Sequence, residues 1–452
     1  MGLLSRFKRQ NTDTLVKSPD HGLYHFQWNR GEQTSRVHLR IDDDDSGLLI
    51  VNANRVFHLN PSAALMAYYS LSSFPTGTAI KELSKRFDMP KSALQDDYAA
   101  YRESLQGLLD DTVCPICDLE LETTLPFTSK PSAPYRMDLA LTYRCNNNCA
   151  HCYNARARNF PELSTRDWFE ILDHLWELRI PHIVFTGGEP TLREDLPDLI
   201  QHAEKNGQIT GLNTNGIRLA DMDFVKKLVD AGLDHVQITL ESHLPEIHDL
   251  MVRHNGAWEQ TVAGVRNVLQ TRLYVMTNTT MLSHNSPVIP DTLQFLADLG
   301  LPTVGLNALI YSGRGKYVGT GLNEKDLMPL LASAKEITAR NGQRLIWYTP
   351  TQYCNFDPIE FGLGVKGCTA ALYNMCIEPD GAVLPCQSYY HPVGNIRTDK
   401  WESIWNHELC LQLRERRNLP EKCKDCAIKI QCGGGCPLQF DDYSDSDESW
   451  RL

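Results

Sequence analysis

The chain has 452 residues, enough for roughly two to four domains. Its 44 Lys and Arg against 56 Asp and Glu give a formal net charge of -12, which opposes attraction to phosphate backbones, so we expect no nucleic-acid substrate. No run approaches the roughly 18 apolar residues of a membrane helix, and the first residues lack the apolar core of a secretory signal. The sequence therefore predicts a cytoplasmic protein with no membrane partner.

Short apolar and polar runs alternate over residues 22–59 and predict a small antiparallel sheet of three strands, the third around NRVFHLN. Three segments with an apolar stripe at helical spacing follow. Three strands and then three helices suit a winged-helix-like α+β domain over residues 22–112. Residues 113–135 contain a stretch rich in Pro, Ser and Thr and are interpreted as a linker.

Cysteine is the informative residue type, because 14 Cys in a reducing compartment point to metal binding or catalysis before disulfides. Cys114 and Cys117 form an isolated CxxC pair near the linker. A redox pair, half of a metal site and two plain thiols all fit this pattern. The sequence does not choose among them.

Strand and helix patterns alternate six times over residues 136–345. The expected strands are MDLALTY, HIVFT, ITGLNT, HVQITL, LYVMTNTT and PTVGLNAL. Ser164 and Asp167 predict a capping box at the start of the first helix of this region. Repeated strand-helix units predict a partial (β/α)6 barrel, whose active face lies at the carboxyl ends of its parallel strands.

The loop after the first of these strands holds Cys145, Cys149 and Cys152 in a CxxxCxxC pattern. Three cysteinates can hold three irons of a 4Fe-4S cube and leave the fourth iron open. The competing interpretation is a zinc site that lacks one ligand, because structural zinc takes four.

This loop resembles the signature of the radical SAM superfamily, and the next three strand ends, TGGEP, NTNG and TLES, extend the resemblance. The resemblance implies that the three cysteines are catalytic and bind the cluster that cleaves S-adenosylmethionine (SAM) to a 5'-deoxyadenosyl radical. It implies that Glu189 meets the methionine ammonium and that the last two strand ends approach the ribose. In TLES, Thr239 and Glu241 stand where the family usually has Ser and Asp, so this strand end departs from the family pattern. The implied SAM contacts are Gly187, Gly188, Glu189, Pro190, Asn213, Asn215, Thr239 and Glu241.

The C-terminal region, residues 350–440, is rich in Cys and Gly and should fold around metal. It contains C-x12-G-x4-C from Cys368 to Cys386, and then CxxCx5CxxxC from Cys423 to Cys436. Both patterns resemble the SPASM extension of radical SAM enzymes, which houses two auxiliary 4Fe-4S clusters. A zinc ribbon is the competing interpretation of the CxxC half. The resemblance implies auxiliary cluster I at Cys354, Cys368, Cys386 and Cys436, and auxiliary cluster II at Cys423, Cys426 and Cys432.

The last Cys of the SPASM pattern, expected downstream of Cys436, is absent. Cluster II could keep an open iron, or it could take Asp441 or Asp442 from the acidic tail, residues 441–452. It could also borrow Cys376 or Cys410. The sequence leaves these alternatives open.

The 22–112 domain resembles the peptide-recognition element of ribosomal peptide maturation, known as a free chaperone in pyrroloquinoline-quinone biosynthesis and as a fused domain in other maturases. An exposed sheet edge can accept a leader peptide as an added strand. A winged helix that binds DNA is the competing interpretation, but the domain has DDDD at 42–45 and no basic recognition helix beyond KELSKRF.

Taken together, the domains resemble radical SAM/SPASM peptide maturases with a fused leader-recognition domain. They predict an oxidoreductase that abstracts hydrogen from a ribosomally made precursor peptide, with flavodoxin or ferredoxin as electron donor. One alternative is a tetrapyrrole side-chain enzyme of the haem pathways, which leaves the N-terminal domain without a task. The other is a non-catalytic metal- and peptide-binding protein, which leaves TGGEP and NTNG unexplained.

Overall fold

The computed structural model describes residues 19–30, 33–51, 55–109, 131–155, 160–417 and 419–439. The chain divides into two compact units, residues 1–132 and 133–452. Several predicted features lie outside the described residues, namely Cys114, Cys117, most of the linker, Asp441, Asp442 and the acidic tail. No helix among the described residues is long and apolar enough to cross a membrane.

The first unit is an antiparallel meander followed by three helices. Its elements are β1 (Gly22–Arg30), β2 (Gln33–Ile41), β3 (Gly47–Val51), β4 (Arg55–Leu59), α1 (Pro61–Leu71), α2 (Thr76–Arg86) and α3 (Lys91–Leu109). The strands pair in the order β1-β2-β3-β4. Asn60 caps α1 by accepting a 2.8 Å hydrogen bond from the Ala63 amide, and Pro61 occupies the first helical position.

The prediction of three strands is wrong, because the run from residue 47 to 59 forms two strands. They pair antiparallel, with Val51 opposite Arg55. Only the residues NAN separate these two strands in the sequence, so the pattern assigns both to a single strand. The second of them, β4, is an edge strand of the described sheet.

The second unit is built on a ten-stranded sheet. Its first half contains β5 (Arg136–Thr142), α4 (Thr165–Glu177), β6 (His182–Gly187), α5 (Leu196–Asn206), β7 (Ile209–Thr214), α6 (Met222–Ala231), β8 (His235–Thr239), α7 (Pro245–Val252) and α8 (Ala257–Leu269). Its second half contains β9 (Tyr274–Thr280), α9 (Ile289–Asp298), β10 (Thr303–Asn307), α10 (Glu324–Arg340) and β11 (Arg344–Trp347). The C-terminal region adds β12 (Asn374–Ile377), β13 (Ala382–Leu384), β14 (Gly394–Asn395), α11 (Trp401–Trp405), α12 (Glu408–Arg414) and α13 (Lys429–Cys432).

Strands β5 to β11 are parallel neighbours in chain order, which confirms the predicted strand-helix architecture. All six predicted strands are present, and β11 is a seventh that was missed because it is only four residues long. The C-terminal region extends the same sheet, since β12 pairs parallel with β5. The capping box of Ser164 and Asp167 is present at the start of α4.

The apolar core fixes where the polar strand ends lie. Met137, Leu139 and Phe185 on β5 and β6 are fully buried, and Trp168 on α4 packs in the same core without solvent exposure. Because parallel strands put their carboxyl ends at one edge, the loops that follow β5, β6, β7 and β8 meet there. This edge is where the predicted cysteine loop and the three predicted strand ends come together.

Candidate active site

The three cysteines of the CxxxCxxC pattern lie on the loop that follows β5. Cys145 is exposed, whereas Cys149 and Cys152 are half-buried. The backbone holds this loop, because the Ala150 amide donates a 2.9 Å hydrogen bond to the carbonyl of Met251, at the end of α7. Burial first, and then the charge of Cys152, raises the pKa of Cys149 well above its usual value. The three thiols are thus close neighbours.

The donor set of this loop fits a 4Fe-4S cube. In a cube each thiolate binds a different iron, so the cysteines need not converge on one point. Structural zinc instead needs four ligands around a single ion. Within the described part of the chain, no three His, Cys, Asp or Glu side chains surround a point where one metal ion could sit.

The glycine pair of TGGEP lies directly on the backbone that leads into the cysteine loop. The Gly188 amide donates a 2.7 Å hydrogen bond to the Thr142 carbonyl, and the Glu189 amide donates a 2.9 Å bond to the Arg144 carbonyl. A Cβ on Gly188 would lie 2.5 Å from the Arg144 oxygen, and Gly187 has a φ of +133°. Only glycine permits the close approach at Gly188 and the backbone conformation at Gly187.

Glu189 is fully buried and bonds to two loops. Its Oε1 accepts hydrogen bonds from the Thr214 hydroxyl at 2.7 Å and the Thr191 hydroxyl at 2.6 Å, and its Oε2 accepts one from the Asn215 amide at 2.8 Å. Burial raises the pKa of Glu189, while the hydrogen bonds from Thr191 and Asn215 oppose that rise. These hydrogen bonds come from the protein itself, and the predicted contact of Glu189 with the methionine ammonium stays a prediction. In the structure it ties the end of β6 to the NTNG loop after β7.

The NTNG loop also contacts the cysteine loop directly. Asn215 Nδ2 donates a 2.6 Å hydrogen bond to Asn146 Oδ1, one residue after Cys145. Asn213 is half-buried near the end of β7, and Thr239 is half-buried as the last residue of β8. The predicted residues at these strand ends therefore face the same edge as the cysteines.

Glu241 after β8 is fully buried and holds the cysteine loop through His151. Its Oε1 lies 2.9 Å from His151 Nε2, and its Oε2 accepts a 2.8 Å hydrogen bond from the Thr280 amide. His151 stands between Cys149 and Cys152, and its Nδ1 is buried without a partner among the described residues. The sequence interpretation missed His151. The sequence signal that could have identified this residue is its position between two cysteines of the pattern.

A second group of thiols lies around Cys386 in the C-terminal region. Burial first, and then the charge of Cys368, raises the pKa of Cys386 to about 12. Cys376 is fully buried on β12, where burial and then the charge of Asp138 raise its pKa well above the usual value. Cys386 is a further neighbour of Cys376. The two cysteines of the C-x12-G-x4-C pattern are therefore together, with Cys376 beside them.

A third group contains Cys423, Cys426 and Cys432. Burial first, and then the charge of Cys432, raises the pKa of Cys423, and Cys426 adds to that rise. Cys432 Sγ accepts a 3.4 Å hydrogen bond from the Tyr353 amide. Cys436 follows three glycines that all have φ between +66° and +88°.

Cys354 lies beside this third group, although it was predicted in the set of Cys368 and Cys386. Lys422 Nζ is 3.7 Å from the Cys354 sulfur. Cys410, which was considered as a borrowed ligand, is instead buried on α12, where Arg414 is its charged neighbour.

Two family models match the chain. Residues 139–296 match the model described as the radical SAM superfamily, and residues 368–427 match the iron-sulfur cluster-binding domain called SPASM. The Fe-coproporphyrin III synthase of Methanosarcina barkeri strain Fusaro is 28% identical over 325 residues, which cover 65% of this chain and 81% of that protein.

Solved structures show the same fold. The crystal structure of Streptococcus suis SuiB bound to its precursor peptide SuiA has a TM-score of 0.68 at 16% identity, over 92% of this chain and 98% of that chain. Native anSMEcpe with bound AdoMet has a TM-score of 0.56 at 19% identity, over 69% of this chain and 91% of that chain. A match over 92% of the chain necessarily takes in most of residues 1–132, which form the first unit.

Proposed function

Because this chain is an enzyme of the radical SAM superfamily with a SPASM domain, we propose that it modifies a ribosomally made precursor peptide. Its cofactors are 4Fe-4S clusters and SAM. Bound at the cysteine loop, the cluster and SAM would supply radical chemistry for hydrogen abstraction from an unactivated C–H bond. With a radical SAM domain present, the non-catalytic alternative is dropped. We expect flavodoxin or ferredoxin to deliver the electron.

The residues of the chain hold the reacting groups in place. Cys145, Cys149 and Cys152 would bind the SAM cluster. Glu189 fixes the TGGEP and NTNG loops relative to each other, and Glu241 fixes the cysteine loop through His151. Because both carboxylates are fully buried, water does not compete for these hydrogen bonds. Such a preorganised edge suits a reaction that depends on the position of one C–H bond.

The N-terminal unit is the observation that carries the peptide proposal. The tetrapyrrole alternative assigns no task to this unit, and the match to Fe-coproporphyrin III synthase covers 65% of the chain. The fold match to SuiB covers 92% and so takes in this unit. A structure of SuiB holds a precursor peptide, which makes a peptide substrate the natural proposal for a chain with the same fold.

Strand β4 is the proposed binding edge for the leader of the precursor. In the described sheet it pairs with β3 alone and leads through Asn60 into α1. Val56 on this strand is 37% exposed. Burial lowers the pKa of the neighbouring His58, so its ring is neutral at pH 7. An edge strand beside a helix can take an extended peptide as an added strand.

A charge on this edge should block the leader. We expect Val56→Asp to weaken binding of the precursor at least about 10-fold, because a buried charge opposes strand addition. Met89→Asp is the matched control, since Met89 is an equally apolar residue of the same unit and is 44% exposed. Fluorescence anisotropy of a labelled precursor, taken from the genes beside this one, measures the affinity. An unchanged affinity in the Val56 variant would rule out this edge as the leader site.

The second candidate function is modification of a tetrapyrrole side chain. The identity to Fe-coproporphyrin III synthase favours it, because that relative resembles this chain more closely in sequence than SuiB does. The two functions differ in substrate while sharing the same radical chemistry. A direct comparison of the two substrates therefore separates them.

A further inference from the structure

A short segment ahead of the C-terminal cysteine patterns packs along the third thiol group. The Tyr353 amide donates a 3.4 Å hydrogen bond to Cys432 Sγ, and the carbonyl of Thr351 lies 3.7 Å from the same sulfur. Gln352 Oε1 accepts a 2.7 Å hydrogen bond from Lys422 Nζ. Residues 351–354 therefore run beside the loop that carries Cys423 and Cys432.

The glycines before Cys436 allow this close approach. Gly435 has a φ of +88°, and a Cβ there would lie 3.2 Å from Gln352 Cγ. The Gly434 carbonyl accepts a 3.1 Å hydrogen bond from Gln352 Nε2. Side-chain and backbone contacts thus hold residues 351–354 against the glycines that precede Cys436.

Cys354 is the last residue of this segment, and its sulfur lies beside the third thiol group. The Lys422 ammonium lies 3.7 Å from that sulfur, and Lys422 directly precedes Cys423 in the chain. Cys354 and Cys432 are both electrostatic neighbours of Cys423.

We infer that Cys354 is the fourth thiolate ligand of the cluster held by Cys423, Cys426 and Cys432. This inference rests on the proposed assignment of those three cysteines to one auxiliary cluster. A cube offers one thiolate position at each of its irons, and Cys423, Cys426 and Cys432 supply three of these four positions. Cys354 fills the fourth position from the upstream side. Auxiliary cluster I is then left with Cys368, Cys386 and Cys436.

The other thiols that were considered have different neighbours. Cys376 lies on β12, next to Asp138 and Cys386. Cys410 lies on α12, where Arg414 is its charged neighbour. Cys354, in contrast, lies beside Lys422, the residue directly before Cys423.

Protection of the thiol from alkylation tests the inference without using activity. Cys354 is exposed in the structure, so iodoacetamide should label it readily in the iron-free chain and at least about 10-fold more slowly in the reconstituted holoenzyme, where a bound thiolate is not free to react. Peptide mass spectrometry reads the labelling at each cysteine. Cys410 is the internal control, because it is buried and should stay unlabelled wherever the C-terminal region is folded.

Two double variants identify the cluster to which Cys354 belongs. In Cys423→Ala with Cys426→Ala, iron should fall by about four atoms per chain and Cys354 should become reactive. In Cys368→Ala with Cys386→Ala, Cys354 should stay protected. The opposite pattern, or rapid labelling of Cys354 in a holoenzyme with full iron content, overturns the inference.

The iron count separates this inference from the cluster assignment. If the Cys423 and Cys426 variant keeps all its iron, the assignment of the cluster fails and the inference fails with it. If that variant loses four iron atoms while Cys354 stays protected, the assignment stands and only the role of Cys354 is wrong. Labelling of Cys410 in the Cys423 and Cys426 variant would mean that its C-terminal region is no longer folded. The Cys368 and Cys386 variant then decides, because the inference requires Cys354 to remain protected there.

Discussion

Gly188 offers a way to move the cysteine loop without removing any functional group. In Gly188→Ala, the new Cβ would lie 2.5 Å from the Arg144 carbonyl oxygen and 2.7 Å from that of Tyr143. Ordinary contact begins at 3.4 Å, so one of the two backbone segments has to move by about 0.9 Å. A shift of about 1 Å at a reacting site can lower a rate about 100-fold. We therefore expect SAM cleavage by this variant to fall by about that factor.

The assay is the rate of 5'-deoxyadenosine formation from SAM under anaerobic conditions with a chemical reductant, together with the iron content. Gly342→Ala is the matched control. Gly342 has a φ of +66°, but no atom lies within 4 Å of an added Cβ. This control costs about 1–2 kcal/mol of backbone strain and moves no neighbour, so it should keep the parent rate.

Two results would refute the reasoning. A parent rate of SAM cleavage in Gly188→Ala with full iron content would show that the contact between the TGGEP loop and the cysteine loop does not position the site. An equal loss in Gly342→Ala would show that the effect is general destabilisation. Either result would remove the role given to the glycine pair.

Three further predictions concern the clusters and the sheet. Replacing all three cysteines of the CxxxCxxC loop by Ala should remove about four iron atoms and all SAM cleavage while leaving the C-terminal clusters; retained cleavage would contradict the site. Replacing Cys423 and Cys426 by Ala should leave 5'-deoxyadenosine formation intact but abolish the modified product, and an unchanged product yield per 5'-deoxyadenosine would make that cluster merely structural. Burial lowers the pKa of His235 from 6.5 to about 3. Below pH 6.5 the imidazole is therefore protonated in the unfolded chain but not in the folded one. The free energy of unfolding then falls by up to about 1.4 kcal/mol for each pH unit of acidification. The melting temperature should then drop between pH 7.5 and 6 less in His235→Gln than in the parent, and equal slopes would count against His235 as the cause.

The sequence predicted those parts of the molecule that depend on local pattern. Each of the six barrel strands carries buried apolar residues, and the capping box at Ser164 is a short-range signal. The strand β11 was missed because four residues carry little pattern. The sequence pattern predicts one strand too few in the meander because β3 and β4 are separated by only three residues.

The site depended on contacts that no local pattern contains. The sequence pattern does not contain the protein partners of Glu189, which are Thr191, Thr214 and Asn215 and are brought to it by the pairing of β6 with β7. The neighbours of Cys354 come from a loop about 70 residues further along the chain, as its contact with Lys422 shows. Which thiols share a cluster is a property of the tertiary fold, and spacing along the chain gives only the candidates.

The most direct test of the proposed function is a comparison of two substrates in one experiment. The reconstituted enzyme, with SAM and a reductant, is given the precursor peptide encoded beside its gene and, separately, Fe-coproporphyrin III. Mass spectrometry of both substrates is paired with quantitation of 5'-deoxyadenosine. The proposal predicts a mass change in the peptide, in proportion to the 5'-deoxyadenosine formed, and none in the tetrapyrrole. An unchanged peptide together with a modified tetrapyrrole would contradict it.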